Sequence, residues 1–108
     1  MITSYVSPKG TLLYLSLVGT LDREAVDDLV REFDERLHAD ATRCLLDLNG
    51  AEDCDAAGLS LVTKLADRSR LRRVRFGVTA TNSPIADKVR QQAGELWLEV
   101  LPELPLSA

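Results

Sequence analysis

The stretch from Leu45 to Leu59 constrains the fold of this chain more than any other. It reads Leu45-Leu46-Asp47-Leu48-Asn49-Gly50-Ala51-Glu52-Asp53-Cys54-Asp55-Ala56-Ala57-Gly58-Leu59. An apolar strand runs into a short acidic loop, and the loop ends at Asp55, just before small residues and a helical pattern. An aspartate at that point can accept the unpaired N–H groups of the first helical turn. Strand, loop, cap and helix together show backbone donors and a few side chains to solvent on a rigid base. The functional surface of the chain is expected here.

The flanking segments extend the same alternation. Residues 2–6 read as a short edge strand, Ser7-Pro8-Lys9-Gly10 as a turn, and 12–18 as a strand with Leu13, Leu15 and Leu17 on one face. Two strands joined by a short turn predict a hairpin. Gly19-Thr20-Leu21-Asp22 closes the second strand, and Asp22 caps a helix to about residue 38. Its apolar stripe is Ala25, Val26, Leu29, Val30, Phe33 and Leu37. Its other face is charged, a pattern of solvated helices with pairs such as Asp27–Arg31 and Glu32–Arg36. His38 would sit at the negative end of that helix dipole.

Residues 43–48 are the most apolar strand and are expected at the centre of the sheet. After the acidic loop, Ala57, Leu61, Val62, Leu65 and Ala66 mark a helix over 56–69. A strand follows over 72–79, with Val74, Phe76 and Val78 on one face. Asn82-Ser83-Pro84 is a helix start, Gly94 a stop, and 96–101 a last strand. The predicted order is β-β-α-β-α-β-α-β. This implies an α/β domain with a mostly parallel sheet, an antiparallel N-terminal hairpin and helices packed on the sheet. Residues 1–101 form the domain, and 102–108 a short proline-containing tail. The loops at 19–22 and 47–58 both follow strands and are expected side by side at the carboxyl ends.

Composition narrows the function. A chain of 108 residues with 45% hydrophobic content can bury one core without staples. Aromatic content of 5% leaves little for stacking on bases, and a net charge of −4 argues against nucleic acid. Arg68, Arg70, Arg72, Arg73 and Arg75 run against that balance and read as a solvated turn or a docking patch for an acidic partner. Cys44 and Cys54 form no CxxC, and the single histidine offers no metal spacing, so no metal or cofactor is expected. Buried free thiols fit a cytoplasmic protein. No stretch approaches the ~18 apolar residues of a membrane span, so direct membrane insertion is not expected.

Asp22, Asp47, Glu52, Asp53 and Asp55 could lie together, and paired carboxylates can do acid–base work. No lysine, histidine or activated nucleophile accompanies them in sequence, and no phosphate loop or nucleophile elbow is present. Asp22 and Asp55 are better explained as helix caps. The expectation is an interaction module rather than an enzyme.

Gly19-Thr20-Leu21-Asp22, Leu46-Asp47-Leu48 and Asp55-Ala56-Ala57-Gly58-Leu59, in this element order, resemble the STAS domain of bacterial anti-sigma-factor antagonists. The resemblance implies a regulatory module that binds an anti-sigma factor with kinase activity and so frees a sigma factor. The family's loop usually reads Asp-Ser-Ser-Gly, and the partner phosphorylates its first serine. Here that position is Ala56, followed by Ala57, so neither accepts phosphate. Thr20 and Ser60 are the neighbouring hydroxyls. The expected partner surface is Asp22, Asp53, Asp55, Ala56, Ala57, Gly58, Leu59, Ser60 and Val62. A homodimer is compatible with the resemblance. The family's final helix is expected to be short or absent, given Pro102 and Pro105. An alternative resemblance is to the cytoplasmic accessory subunit of lipid-transporting ABC complexes, which binds the ATPase.

Overall fold

Among the described residues, seven elements follow the expected order up to β4: β1 (Ile2–Val6), β2 (Leu12–Leu21), α1 (Arg23–Arg36), β3 (Arg43–Cys54), α2 (Ala56–Leu71), β4 (Arg75–Thr79) and, after it, β5 (Glu99–Val100). The computed structural model describes residues 1–80, residues 85, 87, 88 and 91, and the backbone of 99–100. The helix expected over 84–93 falls mostly outside the described residues. So do its start at 82–84, positions 96–98 and 101 of the last strand, and the tail at 102–108.

The strands form one sheet in sequence order, β1-β2-β3-β4-β5. β1 and β2 are the antiparallel hairpin, and β2 to β5 are mutually parallel. The hairpin turn closes through Gly10 N–H donating to Ser7 O at 2.8 Å, with Gly10 at φ 73°. A side chain at Gly10 would meet the His38 ring at 2.9 Å, so glycine is required there twice over.

Right-handed crossovers between successive parallel strands put the intervening helices on one face of the sheet. α1 and α2 accordingly pack against each other and over a leucine-rich core. Leu13, Leu15, Leu17 and Leu21 of β2, Leu46 and Leu48 of β3, Phe33 of α1, and Leu61 and Leu65 of α2 are all buried in it. Few aromatics were available, and branched aliphatics fill the space instead. Cys44 and Cys54 are buried free thiols, and burial pushes the Cys44 thiol up to about 12.

The structure corrects the element ends in physically instructive ways. The acidic "loop" at 49–54 is strand: β3 runs on to Cys54 and stays paired with β2 through two bulges, between Ser16 and Val18 and between Gly19 and Thr20. Each bulge adds a residue on β3, so inward positions fall at Leu48, Ala51 and Cys54, three apart instead of two. That spacing, with Asn49, Gly50 and Asp53 between, erases the alternation that marks a strand. Gly50 belongs to the first bulge, where a side chain would lie 2.8 Å from Val18 Cγ2. Likewise 19–21 is strand, the end of β2, and not a loop.

β4 starts at Arg75 rather than 72 because residues 72–74 terminate α2. Arg73 takes the left-handed conformation (φ 57°), its N–H reaches Arg70 O at 3.1 Å, and Val74 N–H reaches Ser69 O at 2.8 Å. These two bonds make a Schellman motif. α1 ends at Arg36, so His38 lies beyond the helix and does not meet its dipole. Its Nδ1 instead accepts from Asp40 N–H at 3.0 Å. On the charged face of α1, Arg31 pairs with Asp28 rather than Asp27, whereas Arg36 and Glu32 pair as expected at 3.1 Å.

Candidate functional site

Two strand ends and two helix starts meet at the carboxyl edge of the sheet. β2 and β3 finish side by side, with Thr20 opposite Asp53 and Leu21 opposite Cys54. One residue later each chain segment turns into a helix. Asp22 caps α1, its Oδ1 accepting from Ala25 N–H at 2.9 Å. Asp55 caps α2 in the same way, its Oδ1 accepting from Gly58 N–H at 2.7 Å. Both residues have extended backbone, as N-caps require. The positive ends of two helix dipoles therefore open on one edge, each met by a carboxylate.

Gly58 makes this convergence possible. A side-chain carbon there would fall 1.9 Å from Leu21 O and 3.0 Å from Cys54 Sγ. The first turn of α2 thus lies directly on the last residue of β2, an approach only glycine allows. Asp53 turns back on its own strand, its Oδ1 accepting from Cys54 N–H at 2.8 Å. Cys54 is buried beneath, its thiol donating to Asp55 O at 3.3 Å. Burial raises that thiol most; Lys88 lowers it, while Asp55 and Asp53 raise it further. It is a thiol packed into the core.

The expected partner residues separate by exposure. Asp53, Asp55, Ala56 and Ala57 are exposed, and Asp22, Leu59 and Ser60 are partly so. Gly58 is buried under the helix turn. Val62 is a correction: it is 0% exposed and belongs to the core, so it offers nothing to a partner. Thr20 is exposed on the strand beside the site. Ser60 is held within α2, its Oγ donating to Ala57 O at 2.5 Å.

Four of the five carboxylates are engaged in other contacts, and the fifth, Glu52, is exposed on β3. Two are caps and Asp53 is tied to its own backbone. Asp47 lies on the opposite face of the sheet, where Tyr14 Oη donates to its Oδ2 at 2.5 Å and Asn49 N–H to its Oδ1 at 2.9 Å. Among the described residues, no group of three or more His, Cys, Asp or Glu side chains is placed to hold a metal ion. Nor is any helix among them long and apolar enough to cross a membrane.

Sequence reasoning missed one member of the site. Lys88, from the segment after β4, donates to Cys54 O at 3.3 Å and brings a cation to the strand end. Its chain distance from Cys54 left no local signal. The one available clue was topological, since the β4–β5 connection must pass the same edge.

Residues 6–96 match the family model described as Mlab, STAS domain. The chain belongs to the STAS domain family. Solved structures agree on the fold. The anti-sigma factor antagonist SpoIIAA in its unphosphorylated form superposes with a TM-score of 0.75 at 17% identity, over 99% of this chain and 93% of that one. A variant of RsbS from Moorella thermoacetica gives 0.69 at 12% identity, over 95% of this chain and 87% of that one. An anti-sigma factor antagonist from Mycobacterium paratuberculosis gives 0.65 at 17% identity, over 96% and 88%. No curated protein sequence matches. In this STAS domain, the β2 and β3 ends and the α2 start form the edge on which Ala56 is displayed.

Proposed function

We propose that this STAS domain is a non-enzymatic regulatory module that docks a protein partner through the exposed start of α2, and that this surface stays in one state. The observation that carries the reading is the exposed Asp55-Ala56-Ala57 turn, capped by Asp55, with no hydroxyl at its first two helical positions. A phosphate there would add about −1.5 to −2 charges beside Asp53 and Asp55. Alanine withholds that charge permanently. By likeness to the anti-sigma factor antagonists, the partner is an anti-sigma factor or a kinase-like regulator, and the site of action is the cytoplasm.

Two measurements test this. Incubation with a kinase-type anti-sigma factor and ATP, read by mass spectrometry, should leave residues 50–62 unmodified; phosphate on Ser60 would sink the fixed-state reading. Ala57→Lys, at an exposed position that caps nothing, should abolish partner capture in folded protein. Capture that survives it would move the interface elsewhere.

The match to the Mlab description favours a second reading, an accessory subunit that binds the ATPase of a lipid-transporting ABC complex. Affinity capture from native extract separates the two. An ATPase with membrane components supports the second, a small kinase-like protein the first.

A further inference from the structure

At the end of the sheet opposite the site, α2 finishes in an exposed corner that neither reading uses. Leu71, its last residue, is 84% exposed. Its sequence neighbours Arg70, Arg72 and Arg73, and Arg75 at the start of β4, are exposed too. Arg70 pairs with Asp67, and Arg68 with Asp34 at 3.3 Å. Arg72 and Arg73 have no ion-pair partner among the described residues. Arg73 also occupies the left-handed turn position where glycine is the usual residue. The result is an exposed apolar side chain in an arginine-rich turn, and guanidinium groups recognise carboxylates through paired N–H donors.

The same molecule carries the complement. An open groove of about 410 Å³ lies between the β1–β2 hairpin and the start of α1. Its apolar lining includes Ile2, Val18 and Ala25, and its acidic rim is Asp22, Glu24 and Asp28. Val18 is half-exposed at 51%. Asp28 is engaged by Arg31, whereas Glu24 has no ion-pair partner among the described residues. The Met1 ammonium, donating to Val18 O at 2.7 Å, is the one positive charge in the lining.

We propose that this chain associates head-to-tail with copies of itself, the Leu71–Arg73 corner of one copy seating in the α1 groove of the next. The corner lies at the amino end of β4 and the groove at the carboxyl end of β2. Because β2, β3 and β4 are parallel, the two surfaces cannot meet within one molecule. The contact is heterologous: each copy offers one knob and one groove, so copies can add until a ring closes. The inference does not depend on the proposed partner of the α2 start, and its test contains no partner.

Sedimentation velocity on the full chain over a concentration series tests it. The weight-average sedimentation coefficient should rise with concentration at low salt. The association should weaken at least about tenfold between ~0.01 and ~0.15 M salt, as the Debye length falls from about 30 to about 8 Å. A knob variant (Leu71→Ser with Arg72→Glu and Arg73→Glu) and a groove variant (Val18→Lys with Glu24→Lys) should each be monomeric. Mixed, they should form a dimer that grows no further, because one intact groove and one intact knob remain between them. Circular dichroism confirms that each variant is folded, and Leu71→Ser alone provides a milder form of the first. A wild-type chain that stays monomeric at low salt overturns the proposal. So does self-association that persists in either triple or double variant, or a mixture that remains monomeric.

Discussion

Gly58 and Leu21 are in such close approach that a side-chain carbon on Gly58 would stand 1.9 Å from the Leu21 carbonyl oxygen. This contact joins the start of α2 to the end of β2 and holds Ala56 and Ala57 where they are. Gly58→Ala removes a helix-weakening glycine, a gain of about 1 kcal/mol by propensity. Against that stands a clash with backbone, which cannot rotate away, at a typical cost of about 1–3 kcal/mol for overpacking. Strain should win, because the oxygen is far inside contact distance. Urea denaturation should show a lower midpoint for Gly58→Ala, and partner capture should weaken with it.

The two caps can be weighed separately. Asp22→Ala and Asp55→Ala each orphan a helix N–H and should each cost about 1 kcal/mol. Asparagine at either position keeps an acceptor and should restore most of the loss. Thermal unfolding of the four variants checks this. Equal loss from alanine and asparagine would point to charge rather than hydrogen bonding.

On the opposite face of the sheet, the Tyr14–Asp47 bond carries a pH signature. Burial first, then the hydrogen bond from Tyr14 to Asp47 and the negative charge of Asp47, push the Tyr14 hydroxyl from 10.0 to about 12. The folded chain therefore keeps this proton where the unfolded chain releases it. The stabilisation is full below pH 10 and is lost as pH rises towards 12. Urea midpoints measured across that interval should fall more steeply for wild type than for Tyr14→Phe. Tyrosinate absorbance should show a late-titrating component in wild type that Tyr14→Phe removes.

Ser69 Oγ is buried near the end of α2 without a hydrogen-bond partner among the described residues. An unsatisfied buried hydroxyl costs about 1–3 kcal/mol, and alanine has the higher helix propensity. Ser69→Ala should raise the melting temperature, with no change in partner binding, since Ser69 lies at the far end of α2 from Ala56.

The apolar patterns of this chain determined much of what it became. Leu13, Leu15 and Leu17 at period two, the stripe from Ala25 to Phe33, and Asp22 and Asp55 as caps specify elements whose signals are local. These signals survive into the fold because each element buries the face its own periodicity defines. With alternating elements and right-handed crossovers, the parallel order of β2, β3 and β4 follows almost without choice. Tertiary structure alone decided the rest. The bulges that carry β3 to Cys54 exist only in register with β2, so a sequence window sees Asn49, Gly50 and Asp53 as loop. Val62 looks equivalent to Leu59 along the helix, yet α1 and the sheet cover one and leave the other partly open. Lys88 reaches Cys54 O across 34 residues of chain, and Gly58 is indispensable only because Leu21 comes to rest against it. Periodicity records which face of an element is buried. Which neighbour arrives there, and how near, is settled by long-range packing.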